Sequence, residues 1–140
     1  MKLIQLSNNI AQSVLTDIPI NLGVIDRRVE CSCDVFDTTD TTITLNKSGY
    51  YLVNVTANVT ASADGNVGIQ LYDGLNAIAT ASATETATSG DIYNLSFSKV
   101  IRVLPNTCLV GTNAPKTLSV YNTGVTSTIN TINISVIKVN

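Results

Sequence analysis

An apolar residue at every second position over residues 50–60 is the feature that most constrains how this chain folds. The apolar positions on one side of the run are Tyr51, Val53, Val55, Ala57 and Val59. Asparagine and threonine fill the positions between them from residue 54 onward. Because successive side chains of a β-strand point to opposite faces, this period of two predicts a strand with one buried face.

Similar strand patterns recur along most of the chain. Val67, Ile69 and Leu71 share one face of a run that follows a predicted turn at residues 62–66, and residues 129–139 form the last run. Residues 93–104 predict one long strand whose second half is covered on both faces. Residues 75–90 predict an edge strand followed by a mobile loop. No helical stretch persists, so the sequence predicts an all-β protein of eight to ten antiparallel strands, arranged as a sandwich, jelly roll or barrel.

The polar composition agrees with this fold class. The chain has 140 residues, of which 19 are Thr, 15 Asn and 12 Ser, whereas charged residues make up only 13%. Threonine favours strands, and asparagine and serine favour turns. A length of this order suits one domain, which we take to span residues 1–140.

The charge and the residue inventory argue against several classes of function. There is no histidine, so a Ser-His-Asp triad cannot be built and the commonest metal ligand is missing. The net charge is −2, and the eight Lys and Arg are scattered along the chain, which argues against a nucleic-acid surface. The apolar start is interrupted at Gln5 and no run of 18 apolar residues follows. We therefore expect no secretory signal, no membrane span and synthesis in a cytoplasm.

Candidate metal ligands are few. Cys31 and Cys33 lie too close together for the common zinc knuckle, and Cys108 belongs to no second pair, so free thiols are favoured. Asp34, Asp37 and Asp40 recur at every third position, whereas the ligands of a calcium loop stand at alternate positions. We expect no enzyme activity, no metal and no cofactor. Two close carboxylates in a groove would point instead to a carbohydrate-active enzyme.

Some predicted strands are apolar on both faces. The residues opposite the inward sets of their strands are Tyr50, Leu52, Ile137 and Val139. Exposed apolar stripes usually mark an interface, and here we expect a subunit contact. The alternative is that the amino-terminal segment covers these residues.

Residues 49–53 also carry a sequence pattern that is typical of a known family. The run Gly49-Tyr50-Tyr51-Leu52-Val53 resembles the glycine-x-tyrosine-x-apolar strand of the tumour-necrosis-factor-like superfamily, which includes the globular heads of complement subcomponent q. The segment from Val67 to Gly74 is similar to the strand that follows in that superfamily. The last strand, Ile132 to Val139, resembles the bacterial branch, which comprises heads of collagen-like spore-surface proteins and phage structural proteins. The resemblance covers residues 43–140, and residues 14–30 more loosely. It departs from the animal branch at Pro105-Asn106-Thr107 and in lacking the aromatic-glycine end motif.

The resemblance implies a ten-stranded jelly roll that forms a homotrimer and works by binding. It implies a non-enzymatic structural protein of a bacteriophage virion, which decorates the capsid or forms a fibre or receptor-binding head. The alternative is a trimeric head of a bacterial spore coat or cell surface with an adhesive or structural role. The expected partners are two further copies of the chain, a capsid or fibre protein, and a carbohydrate or protein of the host surface. Neither nucleic acid nor membrane is expected.

Two segments are candidates for contact with other molecules. Residues 1–17 precede the resembling region, and Leu3, Ile4 and Leu6 are expected to attach the protein to a virion partner. Residues 80–91 carry small polar side chains with little to bury, as recognition loops do. The residues expected to contact a receptor are Thr84, Glu85, Thr86 and Asp91.

Overall fold

The computed structural model describes residues 1–30, 34–105 and 115–139, which fold into a sandwich of two antiparallel β-sheets. These residues form twelve strands and no helix. The first six are β1 (Lys2–Asn8), β2 (Gln12–Val14), β3 (Ile18–Pro19), β4 (Val24–Val29), β5 (Phe36–Thr38) and β6 (Ile43–Leu45). The other six are β7 (Gly49–Ala61), β8 (Gly65–Asp73), β9 (Asn76–Ala87), β10 (Ile92–Val103), β11 (Lys116–Asn122) and β12 (Ser127–Lys138). The predicted all-β class is confirmed.

Each sheet has six strands, and most neighbours in a sheet are distant in sequence. Sheet I has the order β10-β7-β12-β1-β4, with β2 paired to β12 beyond the end of β1. Sheet II has the order β5-β6-β11-β8-β9, with β3 paired to β11. The last strand therefore lies at the centre of sheet I, between β7 and β1. This arrangement ties the beginning, middle and end of the chain into one sheet.

The core lies between the sheets and is filled by the inward set of each alternating strand. All the inward positions of β7, from Tyr51 to Ala61, are buried, as are Ile132, Ile134 and Val136 of β12. Tyr51 and Phe36 are the largest fully buried side chains, and their rings meet edge to face with centroids 6.1 Å apart. The inward alternation predicted from the sequence is confirmed on these strands.

Residues 76–87 form strand β9, so the prediction of a loop beginning at residue 80 is wrong. The pairing of β9 with β8 runs from Gly65 opposite Ala87 to Asp73 opposite Asn76, and its register shifts opposite Leu71. There the Gln70 side-chain amide donates hydrogen bonds to the backbone oxygens of Ile78 (2.7 Å) and Ala81 (3.2 Å). Alanine, which recurs along this segment, carries a weak strand signal, and pairing with the buried β8 decides the outcome.

One buried side-chain amide, that of Asn122, lies where β2 and β3 meet β11. The Asn122 side chain donates hydrogen bonds to the backbone oxygens of Val14 (2.9 Å) and Val125 (3.1 Å), and it is 1% exposed. A buried polar group needs such partners, because an unpaired one costs free energy. The amide thus fixes the amino-terminal segment onto the loop after β11.

Candidate assembly interface

An apolar row crosses the outward face of sheet I from edge to edge. The strand register places one residue from each of five strands in line: Val29, Leu3, Ile137, Leu52 and Val100. Directly paired residues of neighbouring strands point to the same face, so these five side chains form one stripe. Val29 is 41% exposed and Val100 57% exposed, whereas the three central residues are half-buried. We call these five residues the apolar row.

The four residues predicted for the subunit contact lie in or beside the apolar row. Leu52 and Ile137 are directly opposed within it. Tyr50 (39% exposed) and Val139 (58% exposed) lie one step closer to the end of the sheet, where the Val139 amide donates a hydrogen bond to the Tyr50 carbonyl oxygen (2.9 Å). β1 lies beside β12 within the sheet, so the amino-terminal segment does not cover these residues. That they contact another subunit stays a prediction.

Within one chain, the second half of β10 is covered on one face only. Ile101 and Val103 are buried, but Val100 and Arg102 on the other face are exposed. The prediction of coverage on both faces is therefore wrong for the isolated chain. Sequence reasoning also missed Leu3, Val29 and Val100 as members of the row, because membership depends on which strands pair.

Next to the apolar row, most outward side chains of sheet I are amides and hydroxyls. The next row in register is Arg27, Gln5, Ser135, Asn54 and Ser98. Further along, the Asn94 amide donates to the Asn58 side-chain oxygen (2.8 Å), and the Asn58 amide donates to the Thr131 hydroxyl (3.1 Å). The face is thus divided into an apolar end and a polar remainder.

The amino-terminal residues proposed for attachment belong mainly to the core. Ile4 and Leu6 are buried, at 0% and 1% exposure, because β1 is an internal strand of sheet I. The prediction that their side chains contact a partner is wrong, and the alternation of Ile4, Gln5 and Leu6 is the sequence signal that indicates a half-buried strand. Leu3 points outward and joins the apolar row. Its contact with a partner stays a prediction.

The residues proposed for receptor contact lie on the surface but are not all in a loop. Thr84, Glu85 and Thr86 are exposed residues of β9, while Asp91 is exposed in the turn before β10. In that turn the Thr88 and Ser89 amides donate hydrogen bonds to the Tyr93 hydroxyl (2.8 Å) and to the Asp64 carboxylate (2.8 Å). The segment is therefore an ordered sheet edge and turn, and its role in recognition stays a prediction.

A cleft of about 670 Å³ opens where β1 ends and β4 begins. Among the residues that line it, Gln12 donates a hydrogen bond to the Asn21 carbonyl oxygen (2.8 Å) and accepts one from the Asn21 amide (2.9 Å). Asp26 and Asp40 line the cleft, and within the described ranges neither carboxylate forms an ion pair or accepts a hydrogen bond. Side-chain amides can donate hydrogen bonds to a hydroxylated ligand, and both amides and carboxylates can accept hydrogen bonds from it.

The described residues contain no cluster of side chains that could hold a metal ion. In residues 1–30, 34–105 and 115–139 no three His, Cys, Asp or Glu side chains come together, and no helix there is long and apolar enough to cross a bilayer. Cys31, Cys33 and Cys108 lie outside the described residues. Asp34 is exposed, and Asp37 accepts a hydrogen bond from the Asn46 amide (2.7 Å), so these two do not form a shared site.

The amino-acid sequence matches no family model and no curated protein. The folded chain, however, superimposes on solved structures over nearly its whole length. The globular domain of zebrafish complement 1qA protein matches with a TM-score of 0.69 at 10% identity, covering 100% of this chain and 98% of that one. The chain has a TNF- and C1q-like jelly-roll fold.

Two further matches show how widely this jelly roll is used. Eiger TNF from S. frugiperda gives a TM-score of 0.70 at 13% identity, covering 100% of this chain and 94% of that one. The PRD1 vertex protein P5 gives a TM-score of 0.56 at 21% identity, covering 99% of this chain and 97% of that one. At such identities the likeness establishes the fold, while function has to be argued from the surfaces of this chain.

Proposed function

We propose that this protein is a non-enzymatic structural component of a bacteriophage virion, acting as a homotrimer that decorates the capsid or forms a fibre or receptor-binding head. The observation that carries the proposal is the apolar row on the outward face of sheet I. A single chain leaves this stripe open to water, although the opposite face of the same strands already fills the core. Such a stripe is best explained by contact with further copies of the chain.

Simple energetics favours association through this row. Full burial of a large aliphatic side chain contributes about 1.5–3 kcal/mol relative to exposure. Each copy would bring five such residues, of which the three central ones are already half-buried and gain less, while association costs roughly 4–15 kcal/mol in lost freedom of motion. A contact confined to one of the five residues would not offset that cost, whereas a continuous row repeated in every copy can. The resemblance of residues 43–140 to the tumour-necrosis-factor-like superfamily implies three copies around one axis.

The virion role is supported by two observations. The last strand resembles that of phage structural proteins, and the vertex protein of PRD1 shares the fold over the full length of both chains. A trimer also suits a repetitive surface, since each weak contact is then repeated and gains avidity. The trimeric head of a bacterial spore coat or cell surface is the alternative.

Two measurements test the proposal separately. Sedimentation velocity should give a species of three times 14.8 kDa at micromolar concentration, and a single-chain species would overturn the trimer. Immunogold electron microscopy of a lysate from the source organism should then label phage particles. Labelling of spores or cell envelopes without labelling of particles would overturn the virion role in favour of the alternative.

A further inference from the structure

The cleft where β1 ends and β4 begins is walled by three separate segments of the chain. They are the end of β1 with the residues that follow it, the segment at residues 21–26, and the turn after β5 that carries Asp40. The Leu22 amide donates a hydrogen bond to the Asp40 carbonyl oxygen (2.7 Å), which holds this turn against the segment before β4. The volume of about 670 Å³ falls within the range of about 300–1,000 Å³ that is typical of small-molecule sites. All three walls belong to one chain, so the cleft does not depend on the proposed trimer.

Backbone groups fix the orientation of two side-chain amides in this cleft. The Gln12 amide both donates to and accepts from the Asn21 backbone, and the Asn21 side-chain oxygen accepts a hydrogen bond from the Gly23 amide (2.8 Å). A backbone N–H only donates and a carbonyl oxygen only accepts, so these contacts decide which atom of each side chain is the oxygen. The Asn21 side-chain nitrogen then donates to no acceptor among the described residues, and Gln12 keeps a second N–H. The cleft therefore offers oriented hydrogen-bond donors to a ligand.

Two carboxylates supply acceptors to the same cleft. Gln5 opposes Arg27, and the next residue of β1 opposes Ile25. Asp26 therefore has no direct partner on β1, as in a β-bulge, which re-aims a side chain and is frequent next to active sites. Asp26 and Asp40 are exposed, and within residues 1–30, 34–105 and 115–139 neither carboxylate forms an ion pair or accepts a hydrogen bond. Donors and acceptors thus line one cleft.

The cleft lies apart from the surfaces for which other contacts are predicted. Val24 lines the cleft and Val29 belongs to the apolar row, and the distance between them along β4 is roughly 15 Å of extended chain. Strand β9, which carries most of the residues predicted for receptor contact, packs beside β10, at the edge of sheet I opposite to β4. A ligand in the cleft therefore leaves both the predicted subunit contact and β9 uncovered.

We propose that this cleft binds a neutral carbohydrate. A sugar hydroxyl donates one hydrogen bond and accepts up to two, so neighbouring hydroxyls match a site in which amide donors and carboxylate acceptors occur together. Ile10 and Val24, which are 79% and 69% exposed, offer apolar surface to the C–H groups of a sugar ring. The inference deepens the proposed function, on which it rests only for the statement that the carbohydrate belongs to a host surface.

Other classes of ligand fit the same groups less well. A metal ion and a lysine ammonium accept no hydrogen bond, so either would leave the amide donors of Gln12 and Asn21 unmatched. An anionic sugar would be repelled by Asp26 and Asp40. Among the described residues no Lys or Arg lines the cleft to offset that repulsion. A neutral sugar avoids both penalties.

A printed array of neutral, amino-containing and sialylated oligosaccharides, probed with the fluorescently labelled protein, tests the inference. Binding to neutral oligosaccharides and none to sialylated ones is expected. Absence of binding to every neutral oligosaccharide would overturn the inference, and so would a preference for sialylated ones. Binding by a protein that sediments as a monomer and labels no phage particle would support the inference while the proposed function fails.

Isosteric variants show whether the two carboxylates take part. Titration calorimetry with the neutral oligosaccharide that binds best on the array measures the affinity. Asp26→Asn and Asp40→Asn should each weaken binding about tenfold or more, because a hydrogen bond to a charged acceptor is about twice as strong as one to a neutral acceptor. Asp17→Asn makes the same charge change at an exposed residue outside the cleft and should alter the affinity less than about threefold. Wild-type affinity in all three variants would overturn the inference, as would equal losses in all three.

Two chemical outcomes would reassign the cleft. Loss of binding in EDTA, with recovery on addition of Ca²⁺, would overturn direct recognition by amides and carboxylates in favour of a bound cation. Release of new reducing ends from the oligosaccharide would overturn a binding role in favour of hydrolysis by the two carboxylates. Neither outcome is expected.

The origin of the carbohydrate is tested on cells of the source organism. Labelled protein should stain these cells, and prior oxidation of the cells with periodate, which cleaves vicinal diols of sugars, should abolish the staining. Staining that survives periodate and is lost after trypsin treatment would overturn the assignment to a carbohydrate. Binding on the array without staining of cells would overturn only the assignment to the host surface.

Discussion

Leu52 and Ile137 lie directly opposite each other across β7 and β12, with both side chains on the face of sheet I that points away from the core. Each is only half-buried in the single chain, although its two sequence neighbours on the inward face are buried or packed at the core edge. The pair forms the centre of the apolar row. It therefore provides the most direct test of the proposed subunit contact.

Replacement of Leu52 by aspartate should convert the trimer into monomers. Three carboxylates would be placed in an interface without partners, and burial of each unpaired charge costs several kcal/mol. Sedimentation velocity at micromolar concentration checks the outcome. Ser82→Asp, which adds the same charge to an exposed position of sheet II, serves as the control and should remain trimeric. A folded, trimeric Leu52→Asp protein would show that the apolar row lies outside the contact.

Replacement of Asn122 by leucine should lower the free energy of unfolding by about 2–4 kcal/mol, because backbone oxygens of Val14 and Val125 lose a buried donor. Urea unfolding at one fixed protein concentration measures the change. Asn76→Ala removes an exposed amide that forms no side-chain hydrogen bond with any described residue, and it should cost less than about 1 kcal/mol. Equal losses in the two variants would argue against the importance of the buried amide.

Gly23 and Gly90 allow a backbone effect to be separated from a packing effect. Both have positive φ, +81° and +88°, so alanine strains either one by about 1–2 kcal/mol. A Cβ at Gly23 would lie 2.0 Å from the Ser7 carbonyl oxygen, whereas none of the described residues comes within 4 Å of one at Gly90. Gly23→Ala should therefore lose at least about 2 kcal/mol more than Gly90→Ala in urea unfolding. Similar losses would contradict the close approach of Gly23 to β1.

Tyr51 should make the stability of the protein sensitive to high pH. Burial raises the pKa of its phenol to about 12 from the ordinary value of 10.0, and the neutral phenol donates a hydrogen bond to the Lys47 carbonyl oxygen (2.6 Å). The folded-state pKa is raised, so the contribution of this phenol is complete below pH 10 and is lost as the pH rises through 12. Two pKa units correspond to about 2.7 kcal/mol.

The variant Tyr51→Phe tests this pH dependence. It loses the hydrogen bond to the Lys47 oxygen and should be about 1 kcal/mol less stable at pH 8. Between pH 8 and pH 11, however, it should lose less stability than the wild-type protein. Lys138, whose ammonium lies 5.8 Å from the centre of this ring, is present in both proteins, so the difference between them reports the phenol. Parallel losses in the two proteins would contradict the assignment.

Much of the fold was predictable because strand alternation is a local property. The inward set of β7 and the outward position of Leu52 follow from the order of residues alone. The structure of β9 was less predictable, since its alanines give a weak strand signal that pairing with β8 resolves. The burial of Ile4 and Leu6 was also predictable, because the alternation of Ile4, Gln5 and Leu6 is typical of a half-buried strand and argues against attachment through these side chains.

The sequence by itself determined the fold class and the side of each strand that faces the core, because both depend on a period of two along the chain. Only the tertiary structure decided which outward residues stand together. Val29 and Val100 are 71 positions apart in the sequence, yet the register of five strands places them in one row. The order and direction of neighbouring strands set such clusters, and these follow from long-range packing that no local pattern encodes.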